Sequence, residues 1–386
     1  MAHWALWGPL LVAGVLYSGL LQAPAEICLN DDWTQIFAFQ AFIRDSLLDG
    51  EIPVRSPWLG GGFPIAGHPE FPILSLVSTP LVLAAGPIVG VKLAAIAIVL
   101  IGLVGLWGLC RGPLGLSQPA TAYAGAVYAS LGWTVAILDS GNYPQLYTLW
   151  FPLFTWLILS GERWLDGRLA LAALAAATAL LDGHLNTVLT LIAAGLTALA
   201  LRPHVWPRVF VLAGLTFGLA AYKLFPTIAL LRVEDRAIAY GGGTIEVATW
   251  DPWAFFGLDC RADGFALGPL PLLLVPFASR AGRRALVLFG LLLVSAWLYF
   301  GPKAPADLFW LVSRLPVLRS IDAPSKYFVF YAGVALVLLG ALALEGVPER
   351  WRTPVALLAA MGAAVPLLVV GRPTLTAIFS EPDVPR

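Results

Sequence analysis

Long apolar runs separated by short polar breaks make up most of the chain. They do not alternate apolar and polar residues with a period of two, as the strands of a membrane barrel would. Because only helices or closed barrels satisfy the backbone in hydrocarbon, the pattern predicts an all-α, polytopic membrane bundle of about eleven transmembrane helices. The runs lie near 4–22, 87–110, 119–138, 145–160, 168–182, 185–201, 208–231, 266–279, 284–300, 326–344 and 353–370.

The composition agrees with a membrane protein and excludes a soluble one. Of the 386 residues, 59% are hydrophobic and 12% are charged, with a mean hydropathy of +0.83. The formal net charge is zero, so no basic surface indicates nucleic acid as a partner. We expect one transmembrane domain over residues 1–386, and we interpret the N-terminal run as a retained helix because it lacks the basic start of a signal peptide.

The arginines predict how the bundle is oriented. Ten of them fall on one side if the N-terminus is cytoplasmic, which leaves long outer loops at 23–86, 232–265 and 301–325. This orientation requires that the segment from Phe71 to Ala85 does not cross the membrane. The segment must lie along the interface or form a re-entrant loop. Basic residues on the inner side are Arg111, Arg163, Arg168, Arg202, Arg208, Arg280, Arg283, Arg284, Arg350 and Arg352.

Asp31 and Asp32 begin an amphipathic stretch in the first outer loop, which predicts an interfacial helix headed by two carboxylates. Its apolar residues can face lipid or protein. Either aspartate could simply cap the helix. A partly desolvated carboxylate pair at the membrane boundary could also act as a general base or hold a divalent cation with oxygen ligands.

Other polar residues interrupt the apolar pattern further along. His68 and Glu70 form either a polar pair at a site or a surface pair. In "LLDGHLN" a tight turn accounts for Asp182, whereas His184 and Asn186 are harder to explain by a turn. Lys223 lies within an apolar run. It either extends to the interface or has a phosphate or carboxylate partner inside the bundle.

The outer loop before the penultimate helix carries Arg314, Arg319 and Lys326, against the positive-inside trend. Cations beside the outer membrane surface suit a lipid-linked phosphate or lipid head groups in general. The three cysteines lack metal-ligand spacing. A disulfide between Cys28 and Cys260 is allowed by the topology but not required by it.

The first outer loop, "NDDWTQIFAFQAFIRDSLLDGEIPVRSPWLGGGFPIAGHPEFP", resembles the early loop of the GT-C superfamily of membrane glycosyltransferases, most closely the bacterial YfhO-like branch. Further similarities follow in order: "DGHLN", "YKLFPTIALLR", "WDPWAFFG" and "LRSIDAPSKYFVF". The resemblance covers most of the chain. Lys223 departs from it, since relatives commonly carry a neutral polar residue there.

The resemblance implies transfer of a sugar from a polyprenyl-phosphate donor to an acceptor on the extracytoplasmic face of a bacterial inner membrane. The role of base, or of a metal-associated group, then falls on Asp31 or Asp32. His68, Glu70, His184, Asn186, Lys223, Arg319 and Lys326 would bind substrate. The rivals are a non-catalytic subunit that binds membrane lipids or a larger membrane complex, and a lipid flippase or transporter, which should show two related halves with interrupted helices.

Overall fold

The computed structural model describes residues 4–22, 31–55, 65–68, 71–183, 186–233, 274–301, 304, 306–312, 314 and 324–380. Within these ranges the chain is helical and contains no strand. The predicted outer loops at 232–265 and 301–325 fall largely outside them, as do Cys28 and Cys260.

The α-helices follow the apolar runs closely. Their bounds in the described part are α1 Trp4–Tyr17, α2 Asp31–Leu48, α3 Ser78–Ala85, α4 Pro87–Arg111, α5 Gln118–Ala129, α6 Gly132–Asp139, α7 Phe151–Leu159, α8 Gly167–Leu181, α9 Thr187–Leu201, α10 Trp206–Val233, α11 Arg283–Tyr299, α12 Leu308–Val312, α13 Pro324–Glu345 and α14 Glu349–Ser380. Short 3-10 segments occur at Ser18–Leu21, Ile65–Gly67, Tyr143–Trp150, Pro203–Val205 and Val275–Ala281.

Five helical stretches in the described residues are long and apolar enough to cross a membrane. They are Pro87–Arg111, Gln118–Asp139, Pro203–Leu230, Tyr327–Glu345 and Glu349–Thr376. Shorter apolar helices cover Ala5–Leu21, Gly167–Leu181 and Thr187–Leu201. The chain is therefore a helical membrane bundle, whereas the predicted number of about eleven spans stays a prediction.

The run at 145–160 differs from the single helix that the sequence predicts. It begins as the 3-10 segment Tyr143–Trp150 and continues as α7, which has nine residues. Pro144 and Pro152 are each the second residue of one of the two pieces, where their missing N–H costs no helical hydrogen bond. The first piece, with its side chains buried, becomes a wall of the site described below.

The two helices of the first outer loop pack on protein. In α2 the side chains of Trp33, Phe37 and Ile43 are buried, so the apolar face that could meet lipid or protein meets protein. Helix α3 has only eight residues and packs against the start of α4 after a sharp turn at Gly86. At about 1.5 Å per residue, α3 is far too short to cross the ~30 Å hydrocarbon layer.

Several arginines of the predicted inner side lie at one end of the bundle. Arg284 donates to the carbonyl of Leu114, 2.5 Å away, and Arg283 to that of Ala200, 3.0 Å away. Arg202 donates to Leu159, and Arg352 forms a 3.1 Å ion pair with Glu345. Because consecutive helices alternate in direction, the opposite end holds the start of α2, the turn after α6, the turn after α8 and the start of α13.

Candidate functional site

A polar cavity of about 120 Å³ lies at the end of the bundle opposite the arginines. Four separate parts of the chain line it: the start of α2, the turn after α6, the turn after α8 and the start of α13. The lining residues are Asp32, Gln35, Ile36, Phe39, Gly141, Asn142, Pro144, Gln145, Gly183, Asn186 and Tyr327. The sequence-predicted residues Asp32 and Asn186 are thus brought to one cavity.

A chain of hydrogen bonds runs along the wall of this polar cavity. Asn142 Nδ2 donates to Asp32 Oδ2 at 3.1 Å and to the Ser140 carbonyl at 3.3 Å. Gln145 Nε2 donates to Asn142 Oδ1 and to the Tyr327 hydroxyl, both at 3.2 Å. The amide of Asn142 therefore holds one carboxylate oxygen of Asp32 in a fixed direction.

A fully buried carboxylate, Asp182, lies directly behind the cavity wall. It accepts hydrogen bonds from the hydroxyls of Ser78 and Tyr147, each at 2.5 Å, and of Tyr143 at 2.8 Å. We call Asp182 with these three residues the Asp182 cluster. The prediction that a tight turn suffices to explain Asp182 is wrong, because the carboxylate joins α3, the 143–150 segment and the end of α8.

The Asp182 cluster sets the shape of the cavity through its neighbours in sequence. Tyr143 lies between Asn142 and Pro144, and Gly183 follows Asp182; all three of these neighbours line the cavity. A buried carboxylate is costly unless its oxygens are hydrogen-bonded, so these contacts hold both walls in one arrangement.

Lys223 is buried and does not extend to the interface. Its ammonium donates to the backbone carbonyls of His68 and Phe71, at 2.5 and 2.6 Å, and lies within electrostatic reach of Asp182. Of the predicted alternatives, this favours a carboxylate partner inside the bundle. Lys223 does not line the polar cavity, so its ammonium supports the wall rather than meeting a ligand there.

His68 is buried rather than on the surface, so its interpretation as half of a surface pair is wrong. Its ring packs edge-on against Phe39, with the ring centroids 5.8 Å apart. Phe39 also lines the cavity, which places His68 one layer behind it. His68 is therefore a packing residue that supports the cavity.

The remaining predicted residues are not placed at the cavity. Glu70, His184 and Arg319 lie outside the described residues. Asp31 and Lys326 lie in the first turns of α2 and α13, and only their backbone positions are described.

Sequence reasoning missed Asn142, Gln145 and Tyr327, as well as the hydroxyls around Asp182. Asn142 and Gln145 lie in "DSGNYPQ", a polar break between two apolar runs that carries two amide side chains. This break is the signal that could have identified them. In the fold it lies across the cavity from the start of α2. The tyrosines gave no signal, because a buried tyrosine in an apolar run reads as core until its hydroxyl partner is known.

The described part of the chain contains no cluster of ligating side chains for the predicted divalent cation. No three His, Cys, Asp or Glu side chains there come together in an arrangement that could hold a metal ion.

A second, apolar crevice of about 600 Å³ lies between α9, α11, α12 and α13. Its lining includes Leu189, Leu196, Leu291, Val294, Leu298 and Phe328. Residues that line the two are neighbours in sequence: Tyr327 lines the cavity and Phe328 the crevice, and Asn186 lines the cavity one turn before Leu189. The starts of α9 and α13 therefore contribute to both the polar cavity and the apolar crevice.

Comparison with known protein families, curated proteins and solved structures gave no match, so the site is interpreted from its own residues.

Proposed function

We propose that the protein is a membrane glycosyltransferase that moves a sugar from a polyprenyl-phosphate donor to an acceptor at the extracytoplasmic face. The observation that carries the proposal is that the starts of α9 and α13 supply lining residues to both the polar cavity and the apolar crevice. A lipid-linked sugar has the same two parts, a hydroxylated head and a long hydrocarbon chain. The head would enter the cavity beside Asp32, and the chain would lie in the crevice.

Asp32 is the candidate general base. A hydroxyl oxygen of the acceptor attacks the anomeric carbon, and the bond from that carbon to the phosphate oxygen breaks. The bonding electrons leave with the phosphate, and the Asp32 carboxylate takes the hydroxyl proton. Because the hydroxyl attacks on the face opposite the leaving phosphate, the anomeric configuration inverts. The hydrogen bond from Asn142 orients Asp32 for this step.

The leaving phosphate needs compensation for the charge that it gains. Lys223 is unsuited to this because its ammonium is held by two backbone carbonyls. Among the sequence-predicted cations, Arg319 and Lys326 remain the candidates. Lys326 directly precedes Tyr327, which lines the cavity.

The test is transfer from defined polyprenyl-phosphate sugars by the purified full chain in lipid nanodiscs. Asp32→Asn should lower the rate at least ~100-fold, since general-base catalysis contributes that much or more. Asp31→Asn is assayed in parallel. Asp45→Asn, on the exposed side of the same helix, is the matched control and should retain full activity.

Full activity of both Asp31→Asn and Asp32→Asn would overturn the proposed chemistry. Absence of transfer with every donor, together with stable co-purification of a larger membrane assembly, would favour the non-catalytic subunit instead.

A further inference from the structure

A hydrogen-bonding atom in the wall of the polar cavity has no partner among the residues that the structure describes. Gln145 is 7% exposed and lines the cavity, and its side-chain oxygen Oε1 is buried without a hydrogen bond. A buried acceptor without a hydrogen bond destabilises the fold. In a cavity wall, such an acceptor indicates that a bound ligand supplies the hydrogen-bond donor.

The surrounding contacts fix which atom of the Gln145 amide is the oxygen. The Ser140 carbonyl can only accept, so the atom of Asn142 that faces it must be the NH₂ group. Asn142 Oδ1 then faces Gln145 and requires a donor, which must be Nε2. The orientation of Gln145 thus follows from a backbone carbonyl two hydrogen bonds away.

The second hydrogen of Gln145 Nε2 is also engaged, because it points to the Tyr327 hydroxyl at 3.2 Å. Turning the amide over would place its oxygen against Asn142 Oδ1, an acceptor, and would break that contact. Gln145 therefore holds an unpaired acceptor in the wall of the cavity that Asp32 also lines. Two acceptors on one polar wall suit a ligand that carries several hydroxyl donors.

We propose that Gln145 is a specificity-determining residue whose Oε1 accepts a hydrogen bond from one hydroxyl of the sugar bound in the polar cavity. This rests on the proposed function for the identity of the ligand as a sugar, but it requires only binding and not transfer. A ligand without a donor at that position would leave the acceptor buried and unpaired and would be rejected.

The test uses Gln145→Met, which keeps the length of the side chain and removes the amide. The probes are polyprenyl-phosphate hexoses and pentoses, the corresponding deoxy sugars, and polyprenyl phosphate without a sugar. Binding to the full chain in nanodiscs is measured by calorimetry, with thermal unfolding as the measure of folding. Gln118→Met, at the opposite end of the bundle, is the matched control.

We expect Gln145→Met to weaken binding of the preferred sugar lipid by roughly three- to tenfold, the net effect of one neutral hydrogen bond. One deoxy sugar should bind wild type and Gln145→Met equally, which identifies the hydroxyl that Gln145 contacts. Polyprenyl phosphate alone should not distinguish the two proteins. If transfer is detectable, KM should change more than kcat.

Two results would overturn the inference: Gln145→Met binding every sugar lipid as tightly as wild type, or wild type binding no sugar lipid better than polyprenyl phosphate. Its failure is distinguishable from failure of the proposed function. If Asp31→Asn and Asp32→Asn both retain transfer while Gln145→Met loses sugar binding, the chemistry is wrong and the subsite stands. If Asp32→Asn abolishes transfer while Gln145→Met binds normally, only the subsite is wrong.

Discussion

At the scale of single residues, the polar interruptions in the apolar sequence have different roles. Asp32 and Asn186 reach the cavity, whereas Lys223 and His68 support it from behind. The sequence identifies such residues because a charge in an apolar run carries a desolvation cost, which a partner or a function must offset. It does not reveal which way a side chain points, and that direction separates a ligand-binding residue from a supporting one.

Lys223 provides the sharpest test of a supporting role. Lys223→Met would leave the carbonyls of His68 and Phe71 without their donor and Asp182 without its nearby cation. We expect a loss of about 3 kcal/mol in the free energy of unfolding, as for other broken buried charge pairs. Phe225→Met, exposed on the same helix, is the control and should change stability little.

Hydrogen exchange would locate the effect of Lys223→Met. The amides of Ile65 to His68, of Phe71 and of Ile73 should exchange faster, because their segments lose the ammonium that joins them to α10. A double-mutant cycle with Asp182→Asn should give a coupling free energy different from zero. Strictly additive effects would contradict an interaction between the two charges.

At the scale of elements, α4 depends on glycines for close packing. A Cβ on Gly105 would lie 2.5 Å from the backbone Cα of Leu153 in α7, and one on Gly102 would lie 2.7 Å from the Leu149 carbonyl. Small residues allow such approach between membrane helices. The sequence shows these glycines but does not say which helix they meet.

The substitution Gly105→Ala should therefore destabilise the protein by about 1–3 kcal/mol, as is usual for overpacking. Gly214→Ala is the matched control, because a Cβ there meets nothing within 4 Å. Thermal unfolding in one detergent would compare the two variants. Equal unfolding temperatures would show that α4 and α7 can move apart without cost.

The junction of α7, α8 and α10 depends on an ion pair at the basic end of the bundle. Arg208 is buried; it contacts Asp166 Oδ2 at 2.8 Å and donates to the Ile158 carbonyl. The hydrogen bond from Arg208 holds the pKa of the Asp166 carboxyl below its ordinary value of 3.8. Gly161 is required nearby, because a Cβ there would lie 2.0 Å from Asp166 Oδ2.

This lowered pKa fixes the direction of a pH effect. Since the folded state binds the Asp166 proton less tightly than the unfolded state, the pair stabilises the fold above pH 3.8 and loses its effect as pH falls through the folded pKa. Asp166→Asn should cost about 2 kcal/mol near neutral pH, as for other hydrogen bonds to charged groups. Unfolding measured across pH should show this difference shrinking in acid; a constant difference would contradict the account.

At the scale of the whole molecule, the bundle has two unlike ends. One end gathers arginines, and the other holds the polar cavity. By the positive-inside trend, we expect the arginine end to face the cytoplasm and the cavity to face outward.

Cysteine labelling tests this orientation in intact bacterial cells. In a background of Cys28→Ser, Cys110→Ala and Cys260→Ser, an impermeant maleimide should react with the exposed site of Asp49→Cys directly. The exposed site of Trp164→Cys, at the arginine end, should react only after the cells are permeabilised. The reverse pattern would mean that the cavity opens to the cytoplasm.

The sequence by itself determined the helical membrane class, most helix bounds in the described residues and the collection of arginines at one end. These depend on hydropathy, run length and charge, which are local properties of a chain in a bilayer. Only the tertiary structure decided that Asn142 and Gln145 meet Asp32, that Asp182 is buried among hydroxyls and that Lys223 holds backbone carbonyls. Those contacts join residues that are far apart in sequence, and their partners are set by how the helices pack rather than by any local pattern.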